Sequence, residues 1–298
     1  MMGQPIAIGL LISAAMSVFA ENQILVSGGY GGTLGAGAAT AIEPIAMGQN
    51  PAALHPPSSG TRESSRAFRA GFQLDFHRPY GLEELQVADA GAFCDFPWAG
   101  LGISWRETRV GDWYRDRILA LNPRLRLGPS ALHFPWPHFP GQLDLGATWN
   151  IRSTEIPGEG IRWNGNQGYG MAWRLLPRLK LGAFVLGVPW PGSRSPAEPV
   201  WQWGIAADSR GADAKEGSWP RQTLYLDFRK TGDGPWRALG ALALTLHPSL
   251  RVTAGLSTPP FQISFGLKVG WGGLDWNQAL RYHRYLGRTS LSGLAFSR

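Results

Sequence analysis

Three features of this chain could carry out chemistry: a glycine-rich loop, a pair of histidines and a single cysteine. The segment GGTLGAG at 31–37 could cradle a phosphate, but no Lys-Ser or Lys-Thr follows it and no strand precedes it. His133 and His138 could bind a metal, but their proline-rich segment brings no acidic or cysteine ligand near them. Cys94 lies in the alternating segment GAFCDF and is expected to pack as a small apolar residue. Since the motifs G-x-S-x-G and H-E-x-x-H are also absent, the sequence predicts neither an enzyme nor a metal or cofactor site.

Polar and charged side chains also recur at every second position within otherwise apolar segments. In RAFRAGFQLDFH, the residues Arg69, Asp75 and His77 alternate with phenylalanine, leucine and alanine. This spacing places the polar residues together on one face of a strand. Two hypotheses fit such a set: the residues hydrogen-bond to one another and to a plug, or their arginines line a path for an anionic amphiphile. The candidates for this inner, polar face are Arg69, Asp75, His77, Arg152, Arg251, Asp275 and Arg281.

The elements that must position these residues are strands, because a period of two dominates the chain from about residue 66 onward. Counting the alternating runs predicts about fourteen strands of roughly 8–12 residues, a length that crosses a bilayer when the strand is tilted. The predicted spans are 66–77, 85–96, 99–107, 113–122, 142–152, 165–174, 179–188, 199–208, 222–229, 236–246, 250–257, 261–269, 274–282 and 288–298. Longer connections are predicted at 78–84, 123–141, 153–164, 189–198 and 209–221.

Three features favour a closed transmembrane barrel over a soluble secreted β-sandwich, in which the apolar face would pack inward. The polar face carries Arg, Asp, His and Gln together, as a wet or plugged lumen would. Closure leaves no exposed strand edge. Tryptophans stand at the predicted strand ends, where membrane barrels have aromatic girdles. These are Trp98, Trp113, Trp190, Trp236 and Trp271. The predicted fold class is therefore an all-β, antiparallel membrane barrel, with the soluble sandwich as the alternative.

The composition supports this prediction and narrows the partners. Only 16% of the 298 residues are charged, against about a quarter in ordinary soluble domains, while glycine (40) and tryptophan (14) are abundant. The formal net charge is +7, but the arginines that supply most of it are spread singly along the chain. That spread argues against a nucleic-acid-binding face.

The first residues of the chain predict export from the cytoplasm. An apolar run ends in Val18-Phe19-Ala20, which suits cleavage by signal peptidase, and it is shorter than the ~20 residues of a membrane-spanning helix. A secreted chain of membrane-crossing strands is expected in the outer membrane of a Gram-negative-type envelope, in contact with its lipid. We therefore divide the chain into a signal peptide (1–20), an N-terminal plug (21–65) and a barrel (66–298).

The predicted plug is rich in glycine and alanine and lacks the alternation of the strands. It resembles the N-terminal hatch of the outer-membrane fatty-acid transporter (FadL-like) family, and still more that of the shorter PorV/PorQ-type barrels. Their pattern is a glycine-rich stretch, an alanine-rich run, an acidic residue and NPA-x-L, and here a glutamate stands where aspartate is usual. The residues that carry the resemblance are Gly32, Gly35, Glu43, Asn50, Pro51 and Leu54.

The resemblance implies a fourteen-stranded barrel with an N-terminal plug, in agreement with the strand count. It also implies passive passage of small hydrophobic or amphiphilic molecules. The alternative that it implies is a non-transporting envelope barrel that binds or displays secreted or surface proteins, in connection with a secretion system.

Overall fold

The computed structural model of the chain describes residues 50, 52, 68–127, 141–176, 178–190, 198–209, 220–258 and 260–297. The predicted signal peptide and most of the predicted plug lie outside the described residues. So do the following residues named above: Gly32, Gly35, Glu43, Pro51, Leu54, His133 and His138.

Within the described residues, fourteen antiparallel strands form one closed barrel, which confirms the predicted fold class. Each strand pairs with its neighbours in sequence, and β1 pairs with β14 to close the wall. The strands are β1 (Arg69–Arg78), β2 (Leu85–Asp95), β3 (Ala99–Val110), β4 (Tyr114–Leu127), β5 (Gln142–Ile156), β6 (Gly160–Leu176), β7 (Leu179–Pro189), β8 (Val200–Asp208), β9 (Arg221–Thr231), β10 (Arg237–His247), β11 (Leu250–Thr258), β12 (Gln262–Trp271), β13 (Leu274–His283) and β14 (Gly287–Ser297).

The even number of strands brings the start of β1 and the end of β14 to the same end of the barrel. We call this end the terminal rim and the opposite end the distal rim. The distal rim carries the β1–β2 connection, which includes a single 3-10 turn at Pro79–Gly81. No helix in the part of the chain that the structure describes has the length and apolarity needed to cross a membrane.

Side chains alternate between the two faces of the wall as the sequence pattern predicts. In β8, Val200 and Gln202 are buried inside, whereas Trp201 and Trp203 are exposed outside. Apolar side chains cover the outer face, where Phe72 is 48% exposed. The tryptophans predicted at strand ends lie at both rims: Trp98 and Trp271 at the terminal rim, and Trp113, Trp190 and Trp236 at the distal rim. The outer face is therefore the surface that a membrane barrel presents to lipid.

The predicted long connection at 153–164 is wrong. β5 continues to Ile156 and β6 begins at Gly160, so a three-residue turn joins them. The turn is tight because Gly158 and Gly160 adopt positive φ values of 85° and 79°. The first residues of β6 pair with β5 alone, since pairing with β7 starts only at Asn166. This hairpin rises past β7 at the distal rim, which explains why its sequence lacks the apolar alternation of the spans below it.

β4 is also longer than predicted, because it passes through a proline. The sequence predicts an end at 122, but the strand runs to Leu127. Its pairing with β5 is interrupted between Leu121 and Arg124, around Pro123, which has no N–H to donate to the ladder. The pairing with β3 continues through this position.

Two residues of the NPA-x-L pattern, Asn50 and Ala52, are described, and both are buried. The side-chain amide of Asn50 donates to the carbonyl oxygen of Met171 on β6 at 3.1 Å. The same side chain accepts a hydrogen bond from the backbone N–H of Ala52 at 3.0 Å. This local turn is the kind that Asn-Pro sequences favour.

Candidate functional site in the barrel lumen

The inner face of the wall is polar, and all seven inner-face candidates named from the sequence point into it. Asp75 and His77 are almost completely buried, and Arg281 is 9% exposed. The strand register then determines which of these side chains meet. Arg69, at the start of β1, lies opposite Asp95 of β2, while the remaining candidates are distributed among separate clusters.

A buried cluster lies where β1, β2 and β3 run side by side. Nε2 of His77 lies 2.9 Å from Oδ2 of Asp89, and Nε of Arg106 lies 2.5 Å from Oδ1 of the same carboxylate. Asp75 lies directly opposite Asp89 in the register. The side-chain amide of Gln73 donates a hydrogen bond to the carboxylate of Asp75 at 2.8 Å. The two facing carboxylates would repel each other, so the cation and the amide keep this pair of aspartates in place.

A second cluster lies near the terminal rim on β2, β4 and β5. Arg124 is buried and contacts Asp95. Arg126 bridges two strands, with its guanidinium 3.6 Å from Asp95 and 3.1 Å from Asp144. Charge-assisted pairs of this kind also join neighbouring strands, so they stabilise the register of the wall.

Arg152 belongs to a third cluster, toward the distal rim. Its Nε lies 2.6 Å from Oδ1 of Asp116 on β4, and its Nη2 donates to the hydroxyl of Tyr114 at 3.4 Å. The hydroxyl of Thr154 donates to the same aspartate at 3.0 Å. The charge of Asp116 is thus compensated locally.

The opposite side of the lumen, on β8 to β13, holds its arginines differently. Nε of Arg229 donates to the side-chain carbonyl oxygen of Gln202 at 2.7 Å. Nη2 of Arg251 donates to the hydroxyl of Tyr225 at 2.9 Å. Both of these acceptors are neutral groups. Ion pairing on this side is represented by Lys268 and Asp275, whose charged atoms are 2.7 Å apart near the terminal rim.

Tyr80 reaches over the distal mouth beside Arg281 and His283. Its backbone adopts a left-handed conformation with φ of 58°, which is uncommon for an aromatic residue. Its N–H donates to the hydroxyl of Thr289 at 3.0 Å, and its ring meets the His283 ring edge-on at 6.3 Å. Together these contacts fix an aromatic residue at the entrance to the lumen.

The inward charges of the described strands are balanced differently on two parts of the lumen wall. β1 to β5 form a neutral wall, with five carboxylates against five arginines. β6 to β14 form a cationic wall, with eight cations against three carboxylates, an excess of five positive charges. Arg162 is left out of the count because it lies on the protruding hairpin and pairs with Glu159. The cations of the cationic wall are Arg174, Lys180, Arg221, Arg229, Arg237, Arg251, Lys268 and Arg281.

The sequence-based candidates miss most of the charged residues of both walls. The missed residues that form the clusters include Asp89, Asp95, Arg106, Asp116, Arg124, Arg126, Asp144 and Arg229. A signal was available for Arg124 and Arg126, because the segment NPRLRL alternates in phase with the apolar residues before it. The proline in that segment indicated a strand end and hid the alternation.

A recess on the outer face could hold an apolar ligand. It has a volume of about 840 Å³ and lies over β6 to β9. The small side chain of Ala183 leaves space between Tyr169, Met171 and Trp203, and Trp203 stacks on Phe228 at a ring-centroid distance of 4.6 Å. At the distal end the recess is bordered by Lys230, Glu198 and Asp233. It is therefore mostly aromatic, with charged groups at one end only.

Comparisons with known proteins address the fold. No protein-family model and no curated protein sequence matches the chain. The monoaromatic hydrocarbon channel CymD aligns with 93% of this chain and 97% of its own, at 12% identity and a TM-score of 0.53. Omp33, an outer-membrane protein of Acinetobacter baumannii, aligns with 78% of this chain and 97% of its own, at 7% identity and a TM-score of 0.49. The KdgM porin aligns with 76% and 98%, at 5% identity and a TM-score of 0.42.

This chain has the fold of an outer-membrane β-barrel. The closed wall and its apolar outer face are those of a barrel that spans a lipid bilayer, and the CymD channel shares the fold. The predicted location in the outer membrane agrees with both findings.

Proposed function

We propose that the barrel passes small hydrophobic or amphiphilic molecules across the outer membrane and favours those with an anionic head group. The cationic wall carries this proposal. Its excess of five positive charges faces the lumen, where the low-dielectric wall strengthens the attraction for a carboxylate or phosphate. Arginine also offers such groups two parallel hydrogen bonds.

Two further observations support passage of an amphiphile. The fold of the chain is similar to that of a channel named for monoaromatic hydrocarbons, whose substrates have an apolar ring. The aromatic recess over β6 to β9 offers a place for an apolar group of that size. The apolar body of an amphiphile would suit the recess on the outer face, and its anionic head would suit the cationic wall inside the lumen.

Residues 21–65 are proposed to fill the lumen as a plug, as the resemblance to FadL-like and PorV/PorQ-type barrels implies. The burial of Asn50 and its hydrogen bond to β6 support this proposal, because Asn50 belongs to the pattern that carries the resemblance. A plugged barrel passes selected solutes and excludes ions of bulk solution better than an open porin does.

The anion preference is tested by neutralising two arginines of the cationic wall, Arg251→Gln and Arg281→Gln, in one variant. The matched control is Asp116→Asn with Arg152→Gln, which removes one buried pair from the neutral wall and leaves the net charge unchanged. We expect the ratio of anion to cation permeability to fall roughly twofold or more in the first variant, since lumen charge sets local ion concentration, and to stay constant in the control. For the same variants, the uptake of anionic and of neutral aromatic solutes into vesicles is also measured. Equal losses for both solutes would remove the anion preference.

Deletion of residues 21–60 separates a transporter from a barrel that only displays or binds secretion-system or surface proteins. A transporter should release entrapped solutes faster without the plug and pass selected solutes with it. If the intact chain passes no solute at all while the deleted chain leaks, the non-transporting alternative is the correct one.

A further inference from the structure

Charged residues on the outer face of the described strands are confined to the distal rim. All eight lie within four residues of the distal end of their strand, and the outward positions below them carry no charge. They are Arg78, Glu107, Arg109, Arg115, Arg117, Glu155, Lys230 and Arg288. On the outward face of the described strands, the charge is therefore net positive and lies at the distal end only.

Five of these residues form one cluster on β3, β4 and β5, which we call the outer arginine cluster. Glu107 lies at its centre: its Oε2 is 3.1 Å from Nε of Arg117, its Oε1 is 3.6 Å from Nε of Arg115, and Nε of Arg109 contacts the same Oε1. Oε2 of Glu155 lies 3.8 Å and 3.9 Å from the Nη1 atoms of Arg115 and Arg117. The register confirms the outward direction, because Glu107 pairs with the outward residue Ala88, next to the inward pair of Asp89 and Arg106.

The exposure of these side chains shows which groups face the lipid. The carboxylate side chain of Glu107 is only 8% exposed, whereas Arg109 is 51% exposed and Arg115 and Arg117 are each 37% exposed. The buried carboxylate thus holds three guanidinium groups together, and these groups have more N–H donors than the two glutamates can accept from. The cluster keeps one net positive charge and directs unused donors outward.

The height of the cluster matches that of lipid head groups. Ten residues of β4 separate Arg117 from Leu127 at the terminal rim. At about 3.4 Å per residue and a strand tilt of about 40°, this is about 26 Å along the barrel axis, close to the height of the apolar band of a membrane barrel. Directly below the cluster, Trp105, Leu119 and Ile151 form an apolar row on the same face.

We propose that the outer arginine cluster binds the phosphate groups of a phosphorylated glycolipid in the outer leaflet of the outer membrane. Guanidinium groups match phosphate oxygens in geometry and charge, and several of them in one patch match a lipid that carries more than one phosphate. The adjacent outward side chains of β6, Ile161 and Trp163, are exposed and offer apolar contact to the same lipid. A chain that enters the membrane from the periplasm through its terminal rim places this cluster on the outside of the cell. The inference is independent of what passes through the lumen.

The test compares how well the full-length barrel retains each of three lipids. The barrel is transferred from detergent into vesicles and then released for native mass spectrometry, which detects the bound lipid. The probes are a bis-phosphorylated outer-membrane glycolipid, the same glycolipid after enzymatic removal of its phosphates, and phosphatidylglycerol. We expect the wild-type barrel to retain the phosphorylated glycolipid and to retain the other two about tenfold less, since charge-assisted hydrogen bonds to phosphate provide the affinity. The variant Arg109→Gln, Arg115→Gln, Arg117→Gln should lose about tenfold in retention as well. The matched control Arg288→Gln removes an isolated outward arginine from the same rim and should retain the lipid like the wild type.

Equal retention of the dephosphorylated glycolipid would overturn the proposal without any variant. Equal retention of phosphatidylglycerol would overturn the assignment to the glycolipid, and undiminished retention by the folded triple variant would overturn the assignment to these arginines. Heat-dependent gel mobility shows whether the triple variant has folded. If it has not, the comparison of the three lipids on the wild-type barrel decides alone.

Discussion

The two walls of the lumen contain the same types of residue but balance their charges differently. On the neutral wall, arginines meet carboxylates, as Arg152 meets Asp116 at 2.6 Å. On the cationic wall, Arg251 meets the neutral hydroxyl of Tyr225 at 2.9 Å. The charges of the neutral wall are thus paired with one another, whereas the excess positive charge of the cationic wall gives the lumen a positive electrostatic potential.

This difference separates a structural use of charge from a functional one. A buried ion pair adds little net stability, but removal of one partner leaves a charge in a poorly solvated place and is costly. The neutral wall should therefore be sensitive to single substitutions that unbalance it. The cationic wall already tolerates its excess of charge, so substitutions there should change selectivity more than stability.

The largest effect on stability is expected from Asp95→Ala on the neutral wall. Asp95 contacts both Arg124 and Arg126, and its loss leaves the fully buried Arg124 side chain without this partner. The free energy of unfolding should fall by about 3–5 kcal/mol. Urea unfolding in vesicles, followed by tryptophan fluorescence, measures it. As a control, Glu159→Ala breaks the exposed pair with Arg162 and should cost no more than about 1 kcal/mol. Equal costs at both sites would contradict the distinction.

A smaller effect is expected at two glycines that each lie under a buried aspartate of a neighbouring strand. A methyl group at Gly293 would overlap the carboxylate of Asp75, and one at Gly204 would overlap that of Asp227. Both aspartates accept a hydrogen bond from a glutamine, at 2.8 Å and 2.6 Å.

Replacing either of these glycines by alanine should therefore lower the free energy of unfolding by about 1–3 kcal/mol through overpacking. Gly240→Ala is the control, because the nearest atom to its new methyl group would be 3.9 Å away, in the side chain of Leu256. The same urea titration measures all three variants. A loss of stability in Gly240→Ala as large as the other two would show that strand glycines, and not the aspartate contacts, determine the cost.

The smallest effect is expected from Lys268→Gln, which breaks an ion pair of the cationic wall. Both side chains are partly exposed, at 18% and 25%, so solvent already screens the pair. We expect a loss of no more than about 1 kcal/mol in the free energy of unfolding. A cost near that of Asp95→Ala would show that the two walls depend on their ion pairs equally.

Much of the wall could be predicted from the sequence, because alternation between lipid and lumen leaves a period of two in each strand. The segment RAFRAGFQLDFH predicts a strand at 66–77, and β1 spans Arg69–Arg78. The predicted strand ends were wrong where this alternation is weak. One place is the hairpin of β5 and β6, which extends beyond the end of β7. The other is Pro123, where β4 continues although the proline has no N–H to donate.

The charge clusters could not be predicted in the same way. The alternation shows that Asp75 and Arg152 point inward, but their partners depend on the register between strands. Arg152 meets Asp116, which is 36 residues away in the sequence, because β4 and β5 pair with one specific offset. The difference between the walls is likewise invisible in the net charge, since it arises from how the closed sheet distributes the same arginines.

The pairing of β1 with β14 has a consequence for biosynthesis. Eight residue pairs join these strands, and the rings of Phe72 and Phe296 pack across the joint at 5.8 Å. Because the partners stand at opposite ends of the barrel sequence, the ring of strands cannot shut until the ribosome has completed β14. Every shorter chain would expose two unpaired edge strands and an apolar face, and both features promote aggregation. Closure of the barrel is therefore the last step of its assembly.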